Sequence, residues 1–123
     1  MPPILWNFDG NVLMVKIIGS HTTEDISRAF TEAMIECPTG ATMLVDIRSA
    51  FITLPPGVLR ERVQLIFDSI RGKISRYAIV TKPQGMVSLA ESAAVRLAGL
   101  GVDTRIFTGI EDALAWLESP ATG

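Results

Sequence analysis

Two kinds of apolar pattern take turns along this chain, and their alternation restricts the fold more than any other feature. Met43, Leu44 and Val45, followed by Asp46 and Ile47, form a short apolar run of the kind found in strands covered on both faces. Tyr77, Ala78, Ile79 and Val80 form another. Around these runs the apolar residues recur at helical spacing. Ile26, Ala29, Phe30, Ala33, Met34 and Cys37 follow one helical stripe, which Pro38 and Gly40 end. A second stripe of Leu59, Val63, Ile66, Phe67 and Ile70 stops at Gly72. A third helix is predicted over 85–100, with Met86, Leu89, Ala90, Ala93, Leu97 and Ala98 inward and Gly101 as its left-handed closing residue.

The two ends of the chain complete the pattern. Strand-like runs at 4–8 and 12–18 flank Asp9, Gly10 and Asn11, and Asp-Gly between such runs is a strong hairpin signal. Thr22 can cap the first helix with Asp25 reaching back. Residues 104–107 make the last strand. Thr108 and Glu111 then read as a capping box before a short helix that turns Ile110, Ala113, Leu114 and Leu117 inward. The order is therefore β-β-α-β-α-β-α-β-α. Short connections between parallel strands demand right-handed crossovers, which gives an α/β fold. Its sheet is open, mixed but mostly parallel, and five-stranded, with about four helices and only the first strand antiparallel.

At 123 residues the chain makes one domain, 1–123, with 119–123 read as a frayed tail. No apolar stretch approaches the roughly 20 residues of a membrane-spanning helix, and the start lacks the charged and apolar regions of a secretory signal. A cytoplasmic protein is expected. The lone Cys37 can form neither an internal disulfide nor a metal cage, and reads as a small core residue. Charge is uneven: two basic and six acidic residues over 1–46, nine and four over 48–105, and three acids at the end. The cluster of Arg60, Arg62, Arg71, Lys73 and Arg76 reads as a solvated face. The net charge of −2 and the few, mostly core-directed aromatics argue against a nucleic-acid surface. No phosphate-binding glycine motif or metal-ligand spacing is present, so no cofactor and no metal are expected.

In an open α/β sheet, ligands bind beyond the carboxyl ends of the strands. The candidate residues there are His21 and Thr22, Asp46 and Arg48, Phe51, Ile52, Thr53 and Leu54, then Lys82 and Thr108. Asp46 closes an otherwise apolar strand, so an ionised carboxylate there needs a partner such as Arg48, Lys82 or backbone amides. A structural ion pair is the first reading. His21 is the only histidine and reads as a solvent-facing loop residue without a nucleophile at suitable spacing. A loop is expected over 48–56, and the stretch 49–58 is unusually apolar for a connection, with Phe51, Ile52 and Leu54 beside Pro55 and Pro56, which suggests a lid over a pocket or a partner surface. Trp116 falls off the apolar stripe of the last helix, where it either anchors the helix edge or forms an interface.

Several of these signals together resemble the SpoIIAA-like branch of the STAS domains, a branch also likened to the CRAL-TRIO lipid-transfer fold. They are Gly19-x-x-Thr22-x-Glu24-Asp25, Leu44-Val45-Asp46, Arg76-x-Ala78-x-Val80, and Arg105-x-Phe107 followed by Glu111-x-Ala113-x-x-Trp116-Leu117. The resemblance spans residues 4 to 118 and implies a STAS-like fold. Anti-sigma-factor antagonists of that family carry a phosphorylatable serine in an Asp-Ser-Ser-Gly-like turn. Here the matching position reads Leu54-Pro55-Pro56-Gly57, and Thr53 nearby has no motif behind it.

The leading expectation is a non-catalytic, regulatory module that takes a small apolar ligand or a protein partner at the carboxyl edge. One alternative is a small enzyme using Asp46 or His21 with Arg48 or Lys82. Another is a structural homodimer built on Trp116 and the 49–58 segment.

Overall fold

The computed structural model describes residues 4–53, 68, 73–82, 91, 95, 98–99 and 101–119, and their side chains other than those of 22–24 and 51–53. β1 (Ile4–Asp9) and β2 (Val12–Thr22) form the expected hairpin, with Asp9 opposite Val12 across the two-residue turn. Gly10 opens that turn at φ +60, the left-handed conformation this kind of tight turn needs and a side chain would resist. α1 (Thr23–Glu36) follows and ends before Pro38, as its stripe predicts.

β3 (Ala41–Thr53), β4 (Ile74–Val80) and β5 (Asp103–Phe107) complete a mixed sheet in the order β1-β2-β3-β4-β5. The β1–β2 pair is antiparallel, and β2–β3, β3–β4 and β4–β5 are parallel. The last described helix, α2 (Ile110–Glu118), returns along the sheet. The two middle helices expected over 59–70 and 85–100 lie largely outside the described residues, as does the tail 120–123. Asp68, Glu91, Val95, Ala98 and Gly99 are helical, and Gly101 takes the expected left-handed φ of +85.

The period-two alternation of the strands divides the core between the two faces of the sheet. On one face Leu13, Val15, Ile17, Met43, Val45 and Tyr77 pack with Ile26, Phe30 and Ala33 of α1. On the other, Val12, Leu44, Ala78 and Val80 pack with Ala113 and Leu117 of α2. Burying each large side chain of this kind stabilises the fold by about 1.5–3 kcal/mol. The sheet therefore has no polar side over its centre.

Two sequence expectations fail here. Residues 48–53 are not a loop. β3 runs on to Thr53 in parallel register with β2, with His21 opposite Ile52 and Thr22 opposite Thr53. The polar pair Arg48 and Ser49 hides this continuation by breaking the alternation. Thr108 does not cap α2 either. The N-cap is Gly109, with no side-chain cap bond, because seating Ile110 and Ala113 on the sheet starts the helix one residue later.

The other end of α2 is capped from across the fold. Arg76 Nη1 on β4 donates to the Trp116 carbonyl at 2.7 Å, the Ser119 carbonyl at 2.9 Å and Ser119 Oγ at 3.1 Å. Carbonyls at a helix C-terminus lack internal partners, and a guanidinium there also meets the negative end of the helix dipole. Arg76→Ala should cost about 1–2 kcal/mol, after allowing for solvent at this half-exposed site. Lys82→Ala, at an exposed end of β4, should change the urea midpoint by less than the equivalent of about 0.5 kcal/mol.

Candidate functional site

Asp46 lies inside β3 rather than at its end. Its register partners are Lys16 on β2 and Val80 on β4, so the row across the α2 face reads Leu5, Lys16, Asp46, Val80, Phe107. Asp46 is buried at 4% exposure, an expensive place for a lone carboxylate. Arg48 satisfies it. Arg48 Nε donates to Oδ1 at 3.0 Å, Nη2 to Oδ2 at 2.9 Å, and the Arg48 backbone N–H to Oδ1 at 3.1 Å. Both carboxylate oxygens are thus engaged by one residue two positions along the same strand.

That local fork is possible because the strand bulges there. Lys16 pairs with Asp46 but Ile18 pairs with Ser49, so two residues of β3 face one of β2. A bulge re-aims side chains and resets the alternation. As a result Ile47 and Ala50, three residues apart, both reach the α1 core. Burial pushes the Asp46 carboxyl up, but the hydrogen bonds and charge of Arg48, with Lys16 adding to them, outweigh it and hold the group below its ordinary value.

His21 is a buried strand residue, which overturns its reading as a solvent-facing loop position. Its ring stands where β2 meets α1, packed inside the fold. Nε2 donates to the Ile18 carbonyl at 2.9 Å, since a carbonyl can only accept, and this fixes the proton on Nε2. Nδ1 is buried without a hydrogen-bond partner among the described residues, 3.7 Å from Asp25 Oδ2 on α1. By strand alternation Asp46 belongs to the α2 face and His21 to the α1 face, so the sheet stands between them.

The remaining candidates fall into two groups along the carboxyl edge. Thr22, Phe51, Ile52 and Thr53 end the two-stranded β2–β3 arm, which extends beyond the last described β3–β4 pair, Asp46 with Val80. Lys82 and Thr108 are exposed just past β4 and β5, where the Thr81 N–H donates to the Phe107 carbonyl at 2.9 Å and extends the ladder by one step. Leu54 lies outside the described residues. Trp116 is half-buried and its ring is covered. Phe107 lies 5.7 Å from it, and the guanidiniums of Arg76 and Arg105 stand 5.4 and 5.2 Å from its centroid. Cys37 is buried, and burial raises its thiol pKa against a smaller pull from Lys73. Among the described residues no group of His, Cys, Asp and Glu could hold a metal, and no helix is long and apolar enough to cross a membrane.

Sequence reasoning missed Lys16 and Asp25. Asp25 could have been found from its spacing of four to His21. Lys16 becomes visible only once the β2–β3 register is known.

The SpoIIAA-like family profile matches residues 12–118. Similar solved structures include an uncharacterized protein of the DUF3478 family with a SpoIIAA-like fold from Shewanella loihica PV-4. It is 20% identical, with a TM-score of 0.65 over 94% of this chain and 92% of that one. No curated protein matches the sequence.

The Asp46 environment predicts a defined acid response. Its folded-state pKa is depressed, so its contribution to stability is present above the ordinary carboxylate value of about 3.9 and is lost as pH falls through the lower folded value. Asp46→Asn should lower stability by about 2 kcal/mol at neutral pH, the scale of a hydrogen bond to a charged group. Urea midpoints of variant and native protein should converge on the acid side of that window.

Proposed function

The chain belongs to the SpoIIAA-like family, and from that premise we propose that it is a non-catalytic regulatory module that takes a small apolar ligand or a protein partner at the carboxyl edge of its sheet. The observation that carries this reading is the internal use of Asp46. A general acid or base must reach its substrate, and Asp46 is 4% exposed with each oxygen already bonded to Arg48. The enzyme alternative uses Asp46 or His21 with Arg48 or Lys82; by strand alternation Asp46 and His21 belong to opposite faces of the sheet, so they do not act as a pair.

What the carboxyl edge offers instead suits binding. The Arg48 side chain is 35% exposed, and Asp46 engages only Nε and Nη2 of its guanidinium. A planar guanidinium has five N–H donors, so Arg48 retains capacity for an acceptor on a ligand or partner. The β2–β3 arm supplies the apolar Phe51 and Ile52 in sequence beside it. Leu54-Pro55-Pro56-Gly57, where related antagonists carry the phosphorylatable serine, supports a module without that switch. The same reading assigns helices to the β3–β4 and β4–β5 connections, since parallel neighbours need covered crossovers.

Mass spectrometry of the freshly purified protein, first native and then denaturing, tests the proposal. The expected result is a stoichiometric mass excess, from a small molecule or a protein, that disappears on denaturation. Lys82→Glu with Thr108→Arg, both exposed positions, should reduce that occupancy at least several-fold with an unchanged urea midpoint. Full occupancy in this variant would contradict a carboxyl-edge site.

A further inference from the structure

The outer edge of β5 carries a charge pattern that is complementary to itself when the strand is turned end for end. β5 pairs with β4 on one side, and among the described residues no strand lies on its other side. The Thr81 N–H donates to the Phe107 carbonyl, which turns the backbone of Phe107 toward β4. Peptide groups alternate sides along a strand. Arg105 and Asp103 therefore also turn theirs toward β4, while Thr104 and Ile106 present N–H and C=O outward. An edge of this kind is a template for one more strand. α2 packs on β3 and β4 as well as β5, so it covers the face of the sheet and not this edge.

The side chains select what that strand is. Asp103 and Arg105 are both exposed, and alternation places them with Phe107 on the α2 face. Neither has an ion pair among the described residues. Asp103 is the register partner of Arg76, but Arg76 is committed to the carbonyls of Trp116 and Ser119. The Arg105 guanidinium stands 5.2 Å from the Trp116 centroid, a contact that holds it in place and leaves its N–H groups for a carboxylate. Thr104 lies midway between the acid and the base. An antiparallel copy of β5 centred on Thr104 thus sets Asp103 of each strand against Arg105 of the other.

Backbone and side chains agree on that register. Thr104 meets Thr104 of the copy as a hydrogen-bonded pair, the two residues exchanging both outward bonds. Asp103 and Arg105 then form non-hydrogen-bonded pairs, the kind in which opposite side chains come closest. On the α1 face Ile106 meets Val102, the residue before β5, so apolar pairs flank the two threonines. Moving the centre to Arg105 or to Asp103 sets like charges against each other. We propose that this chain forms a two-fold dimer by antiparallel pairing of β5 with β5 of a second copy, held in register by reciprocal Asp103–Arg105 ion pairs. Such a dimer has twice the chain's own mass, which distinguishes it from a ligand or foreign partner at the carboxyl edge.

A five-residue edge makes a contact of the small, transient class. Sedimentation equilibrium of the full chain at about 1 mM is the test, because a dissociation constant of about 100 µM still leaves most chains paired there. The native protein should be mainly dimer, and Arg105→Asp should associate at least about ten-fold more weakly. Asp103→Arg combined with Arg105→Asp makes every cross-strand charge pair opposite again and should restore the dimer. Amide exchange of the native protein reads the same contact without a variant. Thr104 and Ile106 should exchange at least about three-fold slower at about 1 mM than at about 10 µM, while Arg105, whose N–H faces β4, is unchanged. A native monomer at the higher concentration, native-strength association of Arg105→Asp, a folded charge-swapped variant that stays monomeric, or Thr104 and Ile106 amides indifferent to concentration would each overturn the proposal.

Discussion

The fork between Asp46 and Arg48 holds together the base of the β2–β3 arm at the carboxyl edge of the sheet. A carboxylate at 4% exposure would be untenable alone, and a one-residue bulge without local bonds would leave β3 free to slip against β2. Each solves the other's difficulty. The bulge brings the Arg48 side chain and its own N–H back onto Asp46, and the three bonds then fix where the extra residue sits. Beyond this point the register delivers Ala50 to the α1 core and carries the β2–β3 arm past the neighbouring strands.

The two faces of the sheet have been assigned different work by the same alternation. The α1 face buries His21 beside Asp25, where its ring bonds the Ile18 carbonyl and joins the end of β2 to the start of the helix. The α2 face holds the Asp46 row, with α2 packed on β3, β4 and β5. Arg76 ties the end of α2 to β4 while Trp116 packs against Phe107, so the helix is held at both its backbone and its flank.

Much of the fold was legible because local signals and tertiary demands agree in this chain. Asp9-Gly10 gave away the hairpin, the stripe from Ile26 to Cys37 gave away α1, and the runs at 43–47 and 77–80 gave away buried strands. The site was legible in part. The pairing of Asp46 with Arg48 followed from the cost of a buried charge, but its position within a strand did not, since a bulge erases the period-two pattern by which strands are recognised. His21 was misjudged for a related reason: Gly19, Ser20 and Thr22 around it have turn-like chemistry, and only pairing with the extended β3 keeps them in a strand. Lys16 belongs to the site through a cross-strand neighbour 30 residues away in sequence, a relation that composition and spacing do not encode.

Amide hydrogen exchange across β3, compared between the native protein and Asp46→Asn, bears most directly on the role given to Asp46. If the fork fixes the bulge, amides of residues 48–53 and 18–22 should exchange at least ten-fold faster in the variant, while those of 43–45 keep their native protection. Uniform acceleration throughout the sheet, or no change in the arm, would contradict that role and return Asp46 to consideration as a functional carboxylate.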